Sequence, residues 1–180
     1  MQIDQAMSRW KVSHHAFFVL IQGLVAVHRR LELCLMKGDL AGAQSAIALS
    51  VRMLNASAIA MRFAGDITPD CYLAVRESMM PPHVPDTFSG LWSTDHRAMI
   101  DGLRSLQRCM ANLESLSDLD LTPWQEAIDN AYQAHACVCE HFVGSSPSIL
   151  MQIKDSIGTR SALEHLEGFR KRTMSLVKPK

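Results

Sequence analysis

The sequence predicts an all-α protein, on three observations. No segment alternates apolar and polar residues with period two over a convincing length, apolar residues recur instead at helical spacing, and cap signals stand at the starts of the helical stretches. No internal repeat or low-complexity tract interrupts the pattern. At 180 residues, 48% hydrophobic and only 20% charged, the chain suits a single domain, residues 1–180, with enough mass to bury a core, and composition excludes disorder.

The first helix is expected over Ser13–Met36 (HHAFFVLIQGLVAVHRRLELCLM), stopped by Gly38. Asp39 then caps an alanine-rich second helix reaching about Phe63, and both look buried. Gly65-Asp66 reads as a turn. Thr68-Pro69 is a cap followed by proline at the first helical position, and opens a short third helix carrying Tyr72 and Arg76. MMPPHVPDTFSG holds three prolines, so residues 80–92 form the one long loop. Ser93 or Thr94 opens a fourth helix to about Leu116, and Thr122-Pro123-Trp124-Gln125 is a capping box for a fifth, which bears His135 and stops at Gly144-Ser145-Ser146-Pro147. Helices over 148–157 and 161–176 complete a bundle of six to seven.

Eighteen basic residues balance eighteen acidic ones, and the only basic run lies at the C-terminal end, which argues against a nucleic-acid partner. The apolar run Phe17–Val27 is shorter than the roughly 20 residues that span a bilayer, and the start of the chain has no export signal, so neither membrane insertion nor secretion is expected. The five cysteines are an odd number, and Cys137 and Cys139 point to different sides of a helix. A reducing cytoplasm follows.

His135 sits among alanines in AYQAHACVCEHF, and Ala131, Val138, Cys139 and Phe142 share its face, so its imidazole has open, apolar surroundings fit for a flat metallocycle. The bland reading is a core histidine bonded to a backbone carbonyl. Cys137, Cys139 and His141 lack the spacing for covalent c-type haem or a complete zinc site, and read as buried structural thiols and a neighbouring imidazole. Tyr72 and Arg76, one turn apart beside a long loop, can hold a carboxylate, or be only a half-buried aromatic and a surface arginine. His14 and His15 read as solvent-facing residues near a helix start. The eleven methionines read as adaptable core filler.

Three blocks together resemble the tryptophan 2,3-dioxygenase superfamily of all-helical haem proteins. HHAFFVLIQGLVAVHRRLEL is similar to the segment preceding that family's distal histidine: Gln22 matches a glutamine, Gly23 stands where the distal histidine would be, and Val19 where the family has phenylalanine. TPDCYLAVRES resembles the segment whose arginine takes the substrate carboxylate, and the loop with Phe88 and Ser89 resembles the one covering the pocket. HACVCEHFVGS keeps the spacing from the proximal haem ligand to a Gly-Ser pair, and Thr159 is the counterpart of a substrate-binding threonine.

The resemblance implies haem b with its iron on His135, a substrate pocket drawing on Tyr72, Arg76, Val19, Gly23, Phe88 and Thr159, and an oxygenase, either a dioxygenase or a monooxygenase, that uses dioxygen on an indole-like or other aromatic amino acid. Gly23 leaves no distal base, so the distal side is expected to be roomier and less polar. Family members are oligomeric and the first helix is very apolar, so a homodimer or homotetramer is expected. Two other readings stay open: a haem- or small-ligand-binding module without turnover, and a structural, oligomeric helical bundle.

Overall fold

A computed structural model describes residues 2–79, 82–83, 93–111 and 118–142, and the described residues form five α-helices without a strand. They are α1 (Ile3–Met36), α2 (Leu40–Gly65), α3 (Pro69–Ser78), α4 (Thr94–Ala111) and α5 (Thr122–Phe142). The all-α expectation holds. The helices expected over 148–157 and 161–176 and most of the 80–92 loop lie outside the described residues.

Helix α1 runs for 34 residues, beginning ten residues ahead of the expected start at Ser13. Nothing in Ile3–Val12 breaks a helix, Asp4 favours the positive end of the helix dipole, and Ala6, Met7 and Trp10 give that first stretch an apolar side for α3 to cover. At the other end Gly38 takes φ 69°, which a side chain would resist. Its N–H bonds the Leu35 carbonyl at 3.1 Å and the Asp39 N–H bonds that of Cys34 at 2.9 Å, the pair of bonds that defines a Schellman stop. Asp39 at once caps α2 by accepting from the Gly42 amide at 2.8 Å. Helix α3 starts as its sequence implies, with Thr68 Oγ1 accepting from the Cys71 amide and Pro69 in the first turn. Ser93 Oγ accepts from the His96 amide at the head of α4, and Asp120 Oδ1 accepts from the Thr122 amide at the head of α5.

Cross-helix contacts fix the topology. His28 meets Ser50, Gly23 faces Met53 and Arg9 pairs with Asp66, so α1 and α2 are antiparallel. Trp124 reaches Ser50, Asn130 reaches Asn55 and Val138 fills the space beside Gly65, so α5 runs parallel to α2. Gln22 meets Asp95 and Glu32 meets Ser105, so α4 runs parallel to α1. The α1–α2 hairpin is therefore the spine, with α4 laid along α1 and α5 along α2. Its core joins Ile21, Leu24, Leu31, Ile47, Leu103, Leu106, Trp124 and Ile128, all at most 2% exposed. Helix α2 is long and apolar enough by composition to cross a membrane, but its buried stripe from Ala43 to Ala64 packs within this bundle.

The expectation that both helices of the hairpin are buried needs correction. Each is amphipathic, and Val12 and Val19 on α1 with Ile59 and Phe63 on α2 remain exposed. A second, smaller core at the open end of the hairpin gathers Ala6, Ile67, Cys71, Tyr72 and Val75, with Met7, Trp10, Met79 and Phe142 packed against it.

Candidate functional site

Of the residues singled out from the sequence, Tyr72 lies in the smaller core, with Arg76 one turn further along α3. Thr68 and Pro69 set the start of α3, which places Tyr72 on the inward side and makes it buried. Its ring stacks on Phe142 of α5, centroids 4.2 Å apart and planes 10° from parallel, and meets Trp10 of α1 at 5.7 Å. Aromatic pairs at these distances add to what burial alone contributes. Burial holds the Tyr72 phenol above its ordinary pKa of 10.0; Arg76, one turn further along α3, pulls the other way, and nearby Cys139 adds to the rise.

Cys139 connects this cluster to His135. One helical turn separates the two on α5, and the Cys139 sulfur lies 3.9 Å from each ring nitrogen of His135. Phe142 continues the same stripe at the next turn. Burial pushes the Cys139 thiol up, so the sulfur stays protonated at neutral pH. His135 itself is exposed, while Ala134 beside it is fully buried. An imidazole is a donor type that haem iron accepts, and His135 reaches the surface of α5.

Helix α1 supplies the third wall. Trp10 lies against His14 at 4.3 Å between centroids, and His14 Nδ1 is 2.8 Å from the Trp10 carbonyl oxygen. Burial lowers the His14 pKa, the Trp10 carbonyl partly offsets that, and the charge of His15 lowers it further. His14 is thus half-buried rather than solvent-facing as expected; Trp10 shields it. His15 is exposed, as expected.

Other residues singled out from the sequence fall elsewhere. Val19 is 66% exposed, and Gly23 is covered by the thioether of Met53, whose Cε would stand 2.9 Å from an added Cβ. The structure does not bring these two together with Tyr72. Phe88 and Thr159 lie outside the described residues. Cys137 is exposed and Cys139 half-buried, so the expectation of buried thiols fails for both, because α5 turns its other side to α2. His141 Nε2 is 3.3 Å from the Ile67 carbonyl oxygen and its ring packs edge-on to Phe142. With Arg9, Arg62 and Cys137 it borders an open cleft of about 720 Å³ on the opposite side of α5 from Cys139.

Sequence reasoning missed Trp10, because the first helix was expected to start only at Ser13, and without Trp10 it read His14 as solvent-facing. The signal was present: Ala6, Trp10, Ser13 and Phe17 continue the helical period backwards.

Among the described residues the site thus joins a buried tyrosine, its flanking aromatics and a histidine–cysteine edge. Comparison with known proteins narrows this. Residues 1–120 match the family model described as SfmD 3-methyl-L-tyrosine peroxygenase, and the chain belongs to that family. A 3-methyl-L-tyrosine peroxygenase from Streptomyces lavendulae is 32% identical over 173 residues, covering 96% of this chain and 47% of that protein. The chain thus spans about half the length of the relative, and α5, beyond the family match, is included in the longer alignment. No solved structure matches the chain.

Proposed function

We propose that the protein belongs to a haem-dependent peroxygenase that oxidises the ring of an aromatic, carboxylate-bearing amino acid. Membership of the 3-methyl-L-tyrosine peroxygenase family supports the oxidative chemistry and the substrate class. The single observation that carries the site assignment is the convergence of Tyr72 from α3 with the His135–Cys139–Phe142 edge of α5. The relative is a peroxygenase, an enzyme type that takes its oxygen atom from a peroxide, so peroxide replaces dioxygen as the proposed oxidant. A tyrosine-type substrate likewise replaces the indole.

In this reading His135 holds the haem iron. The cofactor, when bound, supplies the oxygen-transfer chemistry. The chain's own residues bind and orient. Arg76 offers a planar, always-charged fork for the substrate carboxylate, and its charge already acts on the Tyr72 phenol. Tyr72, Trp10 and Phe142 pack on one another into an aromatic wall that keeps water from this edge of the site. A reducing, cytoplasmic setting, in which the five free cysteines stay unbridged, is part of the same reading. The exposed apolar residues Val12, Val19, Ile59 and Phe63 support an oligomer.

The test is an absorption spectrum of the full chain reconstituted with haem, beside His135→Ala and Arg76→Ala. Wild type should give a Soret band that shifts or collapses in His135→Ala, and an unchanged band in that variant removes His135 from the iron. Arg76→Ala should keep the band while binding of 3-methyl-L-tyrosine weakens by tenfold or more, the loss of one charge-assisted hydrogen bond. Equal loss of haem and amino acid would make Arg76 architectural.

A further inference from the structure

On α1, the cluster around Tyr72 contains a strong hydrogen-bond acceptor whose role the carboxylate clamp and the iron ligand leave open. His14 Nδ1 lies 2.8 Å from the carbonyl oxygen of Trp10. A carbonyl oxygen can only accept, so Nδ1 carries the proton and Nε2 keeps its lone pair. The ring is held in place against the Trp10 indole, tilted by 34°, and Trp10 in turn meets Tyr72. Burial disfavours the imidazolium, so the acceptor form persists at neutral pH. Among the described residues no hydrogen bond to Nε2 is made.

His141, beside Phe142, borders the separate cleft with Arg9 and Arg62, and the side chains nearer to Trp10 cannot take this part. The Trp10 indole N–H and the Arg76 guanidinium only donate, Phe142 does neither, and a protonated Cys139 is a weak partner. The Tyr72 oxygen can accept, but it stands beside the positive charge of Arg76, which suits it to the carboxylate end. The relative's substrate, 3-methyl-L-tyrosine, has a carboxylate at one end and a phenolic hydroxyl, a donor, at the other.

We propose that His14 determines specificity for phenolic substrates, its Nε2 accepting the hydrogen bond from the ring hydroxyl of the amino acid. The inference rests on the peroxygenase reading and deepens it: Arg76 and Tyr72 read the amino-acid end, and His14 reads the ring. A bound ligand without the hydroxyl leaves Nε2 desolvated and unbonded, a loss corresponding to about tenfold in affinity.

The test uses the full haem-reconstituted chain and calorimetric titration with 3-methyl-L-tyrosine and with 3-methyl-L-phenylalanine, which lacks only the hydroxyl. Wild type should prefer the phenol about tenfold. His14→Phe keeps a ring against Trp10 but has no acceptor, and should bind both compounds equally, with the phenylalanine analogue within about twofold of its wild-type affinity and the Soret band unchanged. His14→Gln, which carries an amide oxygen at similar reach, should regain part of the preference. Should His14→Phe lose its helical circular dichroism, His14→Leu takes its place in the comparison. Discrimination that survives removal of the imidazole overturns the assignment while leaving the peroxygenase reading intact. Wild-type protein that binds neither amino acid overturns that reading, and this inference with it.

Discussion

Acidification should destabilise this protein through one buried imidazole. His28 is only 2% exposed, at the centre of the α1–α2–α5 packing. Its Nε2 lies 3.2 Å from Ser50 Oγ, which also accepts from Trp124 Nε1 at 2.9 Å, and its Nδ1 has no partner among the described residues. Burial without an anion nearby lowers the His28 pKa from 6.5 to about 4. The unfolded chain therefore takes up a proton near pH 6.5 that the folded chain refuses until about pH 4. Stability from this group is complete above about 6.5, falls as pH drops, and is fully lost below about 4. That interval, at about 1.4 kcal/mol for each pH unit, amounts to about 3 kcal/mol, a large share of the roughly 5–15 kcal/mol that holds a typical domain together. Urea unfolding followed by far-UV circular dichroism at about pH 7.5 and about pH 4 measures it. His28→Leu, which cannot titrate, should lose about 3 kcal/mol less than wild type across the same range, since His14 and the carboxylates titrate in both. Equal losses in the two proteins would refute the reasoning and show that His28 gains a proton in the fold as easily as in water.

Two further substitutions probe the packing that presents the site. Trp124→Phe removes the donor to Ser50 and shrinks a side chain that is 1% exposed, so urea midpoints should report a loss of about 2 kcal/mol; no change would mean that the Ser50 bond and the indole volume are dispensable. Gly65→Ala and Gly23→Ala should part company in thermal unfolding: the added carbon at Gly65 meets Val138 Cγ2 at 2.7 Å, on a stiff branched side chain, and should cost about 1–3 kcal/mol. At Gly23 it meets only the flexible end of Met53, and a gain in helix propensity of about 1 kcal/mol offsets the crowding. Equal melting temperatures for the two variants would refute the distinction.

Much of the architecture was legible because its punctuation is local. Gly38, Asp39, Thr68-Pro69 and Ser93 each act on the backbone within a few residues, and each acts as the sequence implies. The start of α1 carries no cap signal, and only the apolar period through Ala6 and Trp10 announces it. Gln2 makes no side-chain cap bond, and the first turns are held by distant partners, with Trp10 on Tyr72 and Arg9 on Asp66. For the site, the spacing of Tyr72 and Arg76 and the stripe His135–Cys139–Phe142 were visible as helix periodicity. Their meeting was not, since it depends on how the Gly65–Thr68 turn swings α3 across the end of the hairpin. The tautomer of His14 and the burial of His28 were equally hidden, because both are set by neighbours that only folding supplies.

Met53 gives the spine of the molecule a chemical weak point. Its sulfur would lie 3.0 Å from a Cβ at Gly23, so the thioether occupies the volume that glycine vacates and spaces the two longest helices. Conversion to the sulfoxide would put a polar oxygen into that seam, where helix backbones have no spare donors to greet it. Under the proposed peroxide chemistry the protein would then wear from within, its hairpin prised apart at a glycine, and methionine sulfoxide reductase would be the natural means of repair.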